Sequence, residues 1–115
     1  MAFPGELNIR YYRGDTYEFN VYPKKSDGTV FDLTGYTVKF SIAETRESVQ
    51  TVEAYSVISD DNTFIKCAIR TTDSTSLTAG STYVYDVEIR KTSTPYNKVY
   101  TVLTGNITVT GQVSP

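Results

Sequence analysis

Tyr36-Thr37-Val38-Lys39-Phe40-Ser41-Ile42 sets Tyr36, Val38, Phe40 and Ile42 on one side of an extended chain and Thr37, Lys39 and Ser41 on the other. That period of two is the mark of a strand with one face buried, because successive side chains of a pleated chain point to opposite faces. The same alternation recurs on both sides of it. Leu7, Ile9 and Tyr11 share a face, with Asn8 and Arg10 on the other. Tyr17, Phe19 and Val21 alternate with Glu18 and Asn20 until Pro23 stops the run. Downstream, Ile65, Cys67 and Ile69 alternate with Lys66 and Arg70, and Tyr83, Tyr85, Val87 and Ile89 alternate with Val84, Asp86, Glu88 and Arg90. From Val99 to Val109 the odd positions carry the pattern. Gly105 interrupts it, as a bulge or a close backbone approach does.

Turn chemistry separates these runs. Ser26-Asp27-Gly28 offers a side-chain acceptor followed by a residue free to take positive φ. Ser59-Asp60-Asp61-Asn62 joins a short strand near Tyr55–Ile58 to the strand from Phe64, and Thr92-Ser93-Thr94-Pro95 divides the last two long strands. The polar stretch from Asp73 to Gly80 predicts one helical turn near residues 73–79, capped by Asp73 or Ser74, with Leu77 plugging the core. Glu44–Glu53 has mixed patterning and yields no assignment. The sum is an all-β fold: one Ig-like antiparallel β-sandwich of about seven strands, spanning residues 1–115 as a single domain.

Composition agrees. Tyrosine occurs ten times and threonine is the commonest residue; both suit a half-buried pleated surface better than a helix. A chain of 115 residues buries roughly two-thirds of its unfolded surface, enough for a core without disulfides or a metal. Its single cysteine, Cys67, makes no internal disulfide. No basic, apolar leader opens the sequence and no run approaches the ~20 apolar residues of a membrane helix. The expectation is synthesis in a cytoplasm without a signal peptide. At a formal charge of -2, with Lys and Arg scattered singly, there is no basic cluster for nucleic acid or for a membrane surface.

Catalytic equipment is thin. Histidine is absent, which removes the usual general base and the commonest metal ligand. Cys67 stands at an inward position and reads as an inert core thiol. Asp86 and Glu88 lie two apart on one strand face, with Cα atoms about 6.5–7 Å apart, near the spacing glycosidases use. Glycoside cleavage also needs one carboxyl held protonated by burial and a cleft for the sugar, and the surrounding sequence promises neither. Asp60 and Asp61 make a polar turn sooner than a calcium site. Arg13-Gly14-Asp15 spells a tripeptide that integrins recognise, here between two strands where Gly and Asp turn the chain, and Asn106-Ile107-Thr108 is a sequon without a leader. The expectation is no enzyme, no cofactor and no metal.

What remains is surface. With Ile89 opposite Val99 in the last hairpin, and Arg90 therefore opposite Lys98, the outward face would carry Val84, Tyr100 and Val102, with Tyr96 at the turn and Tyr12 elsewhere. Exposed tyrosines combine apolar area, low rotamer entropy and a polar tip, as interfaces do. These five residues are the candidate partner interface.

The order of motifs is informative beyond its parts. Arg13-Gly14-Asp15-Thr16 is followed by Ser26-Asp27-Gly28-Thr29, then Phe31-Asp32-Leu33-Thr34-Gly35-Tyr36-Thr37-Val38. Tyr83-Val84-Tyr85-Asp86-Val87-Glu88-Ile89 and Thr104-Gly105-Asn106-Ile107-Thr108-Val109-Thr110 come near the end. Over nearly the whole chain this resembles small Ig-like domains of tailed-phage virion proteins, including the N-terminal domain of baseplate upper proteins. The resemblance implies a structural subunit of a virion, in tail, baseplate, neck or capsid decoration, held by contacts with other virion proteins or with copies of itself. The alternative is a carbohydrate-binding β-sandwich module whose tyrosines stack on a glycan.

Overall fold

The computed structural model describes residues 4–111. Eight strands and one helical turn follow in order: β1 (Gly5–Glu6), β2 (Ile9–Tyr12), β3 (Tyr17–Val21), β4 (Thr37–Ala43), β5 (Gln50–Ile58), β6 (Ile65–Ile69), α1 (Thr71–Ser74), β7 (Thr82–Lys91) and β8 (Lys98–Thr110). They form one sheet in the order β1-β8-β7-β4-β5-β6-β3, with β2 also on β8. The all-β expectation holds. The sheet is mixed rather than antiparallel, however, because β1 and β2 both run parallel to β8.

The sheet curls through β5. Its first half pairs with β4 and its second half with β6. The curl brings β3 over the middle of β4 and β7, where the Phe19 ring meets Phe40 at 5.6 Å and Tyr85 at 6.4 Å, both edge-on. Phe40, Ile42, Val87 and Ile89 are wholly buried on the inner side, so the alternation read in the sequence is the alternation of the core. Cys67 and Leu77 are buried with them, as expected.

Two sequence expectations shift by small, explicable steps. The helical turn lies at residues 71–74, not 73–79. Asp73 is its third residue rather than its cap: the carboxylate reaches back to the Arg70 backbone N–H at 2.8 Å and takes two bonds from the Arg70 guanidinium. The β7–β8 register also differs. Val87 pairs with Leu103 and Glu88 with Thr101, leaving Val102 as an extra residue in the ladder. Such a bulge flips the faces of every residue beyond it. Ile89 therefore opposes Tyr100, Arg90 opposes Val99, and Lys98 opposes Lys91.

Gly105 marks a close approach of two backbones. Between β1 and β2 the chain dips onto β8, and the Leu7 N–H bonds the Thr104 carbonyl at 3.0 Å. The Leu7 carbonyl turns inward and accepts a hydrogen bond from the Tyr85 hydroxyl at 2.6 Å. A Cβ on Gly105 would overlap that carbonyl oxygen and lie 2.8 Å from its carbon. The bulge and the close approach that the sequence left as alternatives for Gly105 thus occur at separate places, Val102 and Gly105.

Three loops share one local device, Asp-x-Thr. Asp27, Asp32 and Asp61 each accept the hydroxyl of the threonine two residues on, at 2.6 Å. These bonds favour the charged carboxylate and hold all three below the ordinary value of 3.8. A depressed carboxylate stabilises the fold fully above its unfolded pKa, and that contribution vanishes as pH falls through the lower folded value. Thermal midpoints are therefore expected to drop once pH falls below 3.8. Thr34→Val should raise the NMR-titrated pKa of Asp32 toward 3.8; an unmoved Asp32 would show that the hydroxyl is not the cause.

Candidate protein-contact surface

The five surface candidates do not form one patch. Tyr96 stands at the β7–β8 turn, 70 % exposed, its carbonyl accepting the Ser93 hydroxyl at 2.5 Å. Tyr100 is at the same end of the sheet but half-buried on the inner side, placed there by the bulge. Tyr12 is exposed at the opposite end, where β2 finishes beside Thr110. Val84 is half-buried toward that far end, between Ala43 and Asn106. Val102 is a correction: at 3 % exposure it belongs to the core, because as the bulged residue it takes the inner side that its odd neighbours take after it.

The structure gathers a different set around Tyr100. Its ring lies 6.1 Å from Phe31 and 6.4 Å from Tyr36, and those two are 5.6 Å apart. The Lys91 ammonium sits 5.5 Å above the Tyr36 ring, a cation–π contact that occupies one member of the Lys91–Lys98 pair. Burial, then the neighbouring Tyr100 and Asp32, raise the Tyr36 hydroxyl above its ordinary pKa. Phe31, Tyr36 and Tyr100 are half-buried and pack together against the hydrophobic core. Val30 and Val99 are exposed large apolar residues close by in sequence to this cluster. The alternation identified Tyr36 as inward. Phe31 was legible only as the residue before the Asp32-Leu33-Thr34-Gly35 turn, whose Leu33 is fully buried and whose Gly35 takes φ of 82°.

A second concavity lies between the two ends of the curled sheet. Gly5, Leu7, Val102 and Leu103 form one wall and Phe19, Val21 and Pro23 the other, with Asn20, Tyr22 and Lys24 completing a groove of about 310 Å³. Among the described residues Lys24 is its one charged lining residue.

The polar candidates for chemistry are accounted for by structural bonds. Asp86 pairs with Arg46 and accepts the Thr104 hydroxyl at 2.8 Å; Arg46 also reaches Thr104 at 2.5 Å, pinning the β4–β5 loop to the outer face of the sheet. Glu88 pairs with Arg90 at 3.2 Å. Asp61 is engaged by Ser59 and Thr63. Burial pushes the Cys67 thiol up to about 12, so it is protonated and unreactive at neutral pH. In Arg13-Gly14-Asp15 the arginine Nε donates to the Leu77 carbonyl at 2.7 Å and the Asp15 N–H closes a turn on the Tyr12 carbonyl at 3.0 Å. Among the described residues no group of three or more His, Cys, Asp or Glu side chains is placed to hold a metal. No helix there is long and apolar enough to cross a membrane.

No family model matches the chain, and neither does any curated protein. Among solved structures it is similar to a family 123 glycoside hydrolase from Clostridium perfringens, studied for glycolipid glycan hydrolysis, at 12% identity and a TM-score of 0.40. The match covers 96% of this chain and 24% of that one, so the chain spans about a quarter of the hydrolase's length.

Proposed function

We propose that this chain is a non-enzymatic structural protein of a tailed-phage virion, acting through contacts with other virion proteins or with copies of itself. On this reading its curled sheet is an Ig-like sandwich, with β5 as the strand that passes from one layer to the other. The observation that carries the reading is the whole-chain order of motifs, each of which does fold-defining work. Asp27 and Asp32 fix turns through Thr29 and Thr34, Leu33 anchors in the core, and Gly105 admits the Leu7 carbonyl. The engagement of its carboxylates and its thiol in structural roles supports a binding role over a catalytic one.

Quantitative mass spectrometry of purified particles, from the host in which the gene is expressed from its own genome, tests the reading. The chain is expected at several copies per particle and should resist removal by salt. Its absence from intact particles would overturn the proposal. A glycan array that detects binding, abolished by Tyr96→Ala, would favour the carbohydrate-binding alternative.

A further inference from the structure

Asp27–Gly28 is the one place in the sequence where aspartate or asparagine precedes glycine. Such a pair is chemically labile, because glycine has no side chain to keep its nitrogen away from the preceding carboxyl. The Gly28 nitrogen attacks the Asp27 side-chain carboxyl carbon, and the amide proton leaves with the carboxyl hydroxyl as water. Water then reopens the five-membered succinimide. Opening at the main-chain carbonyl routes the backbone through the side-chain carbon and leaves isoaspartate, unchanged in mass but one backbone atom longer. No oxidant and no reactant besides water takes part. The attack asks two things of the chain. The amide nitrogen must be free to lose its proton, and the carboxyl must be neutral, since hydroxyl leaves far more readily than oxide.

The turn withholds both. The Gly28 N–H donates to the Lys25 carbonyl at 2.9 Å, and a hydrogen-bonded amide gives up its proton only when that bond opens. One Asp27 carboxylate oxygen accepts the Thr29 N–H at 3.0 Å and the Thr29 hydroxyl at 2.6 Å, which favours the ionised form. The base of the turn is pinned as well, by the Lys25 N–H on the Thr29 carbonyl at 2.8 Å and by the bridge from Lys24 to Val30. We propose that Asp27–Gly28 is a latent isomerisation site, held closed in the folded protein by the Lys25 carbonyl and the Thr29 hydroxyl. An added backbone atom there would break the bonds that close the turn, just before the chain enters the core at Phe31 and Leu33. This holds whether or not the chain belongs to a virion. It matters most for a protein that is not replaced by new synthesis, as in a particle outside a cell.

The test incubates the full chain for weeks at physiological temperature in mildly acidic buffer. Isoaspartate at residue 27 is then quantified by peptide mapping and enzymatic methylation. A synthetic peptide spanning residues 22–32 is the unprotected reference. The folded protein is expected to isomerise at least about tenfold more slowly than the peptide, in step with slowed hydrogen exchange of the Gly28 amide. Thr29→Val should speed isomerisation in the folded protein roughly threefold, because more of the Asp27 carboxyl is then neutral. Thr34→Val removes the same kind of hydroxyl from Asp32 and should leave Asp27 at the parental rate. A folded protein that isomerises as fast as the peptide overturns the proposal, and so does Thr29→Val at the parental rate. An equal rise in the two variants also overturns it, since protection would then belong to the stability of the fold and not to this turn.

Discussion

Replacing Gly105 with alanine is expected to cost about 3 kcal/mol or more of stability and to lower the thermal midpoint by roughly 10 °C. Two effects combine. The new methyl group would overlap the Leu7 carbonyl, a backbone atom that no rotamer change can move aside. Overfilling a packed site costs about 1–3 kcal/mol when side chains can adjust, and here the β1–β2 connection itself must lift. Once it lifts, the Tyr85 hydroxyl loses the acceptor it holds at 2.6 Å, and an unsatisfied buried hydroxyl costs about 1–3 kcal/mol. Tyr85→Phe isolates the second effect. Both substitutions act on the same carbonyl, so the double variant should be less destabilised than the sum of the singles. Urea unfolding followed by circular dichroism measures all three. A Gly105→Ala protein within about 0.5 kcal/mol of the parent would mean that Leu7 does not pass over Gly105 as described.

Phe40→Ala is expected to cost about 3–5 kcal/mol, the range for truncating a fully buried aromatic residue. Phe40 has no exposed surface, and its ring is held edge-on between Phe19 at 5.6 Å and Tyr85 at 5.5 Å. It is the contact by which the curled-over β3 grips β4 and β7, so the cavity would open where the two halves of the sheet meet. Against the roughly 5–15 kcal/mol that holds a typical domain together, such a loss leaves a large unfolded fraction on mild heating. Tyr96→Ala, at an exposed turn position, should change stability by less than about 0.5 kcal/mol. Urea midpoints compare the two directly, and similar midpoints would refute the placement of Phe40 at the centre of the core.

The sequence was most legible where one face is fully buried. Tyr36 to Ile42 and Tyr83 to Ile89 alternate because the inner side admits only apolar groups, so the pattern and the burial coincide. It was least legible where two readings satisfy the same pattern. Val102 and Leu103 are adjacent apolar residues, so either can serve as the inward one, and only the pairing with β7 makes Val102 the bulged residue. That one residue decided the surface assignment: it buried Val102 and turned Tyr100 toward Phe31 and Tyr36. The parallel pairing of β1 and β2 with β8 was hidden for a different reason. Alternation states which face a residue takes but not which strand it pairs with, and here the partners are far apart in the chain. The first half of β5 was obscured by its own composition, since Gln50 and Glu53 are exposed and Val52 only half-buried.

The parallel run of the first strands beside the last also sets how the protein bears load. Gly5 pairs with Leu103, Ile9 with Ile107 and Tyr12 with Thr110, one unbroken register across the dip at Leu7. Tension applied between the chain before β1 and the chain after β8 pulls these strands along their own length in opposite directions. Every rung of the ladder is then strained together, whereas a hairpin pulled from its open end loses its rungs singly. Force entering through the two chain ends is thus met by a clamp in shear, with the Leu7 carbonyl seated over Gly105 as the catch that keeps it in register.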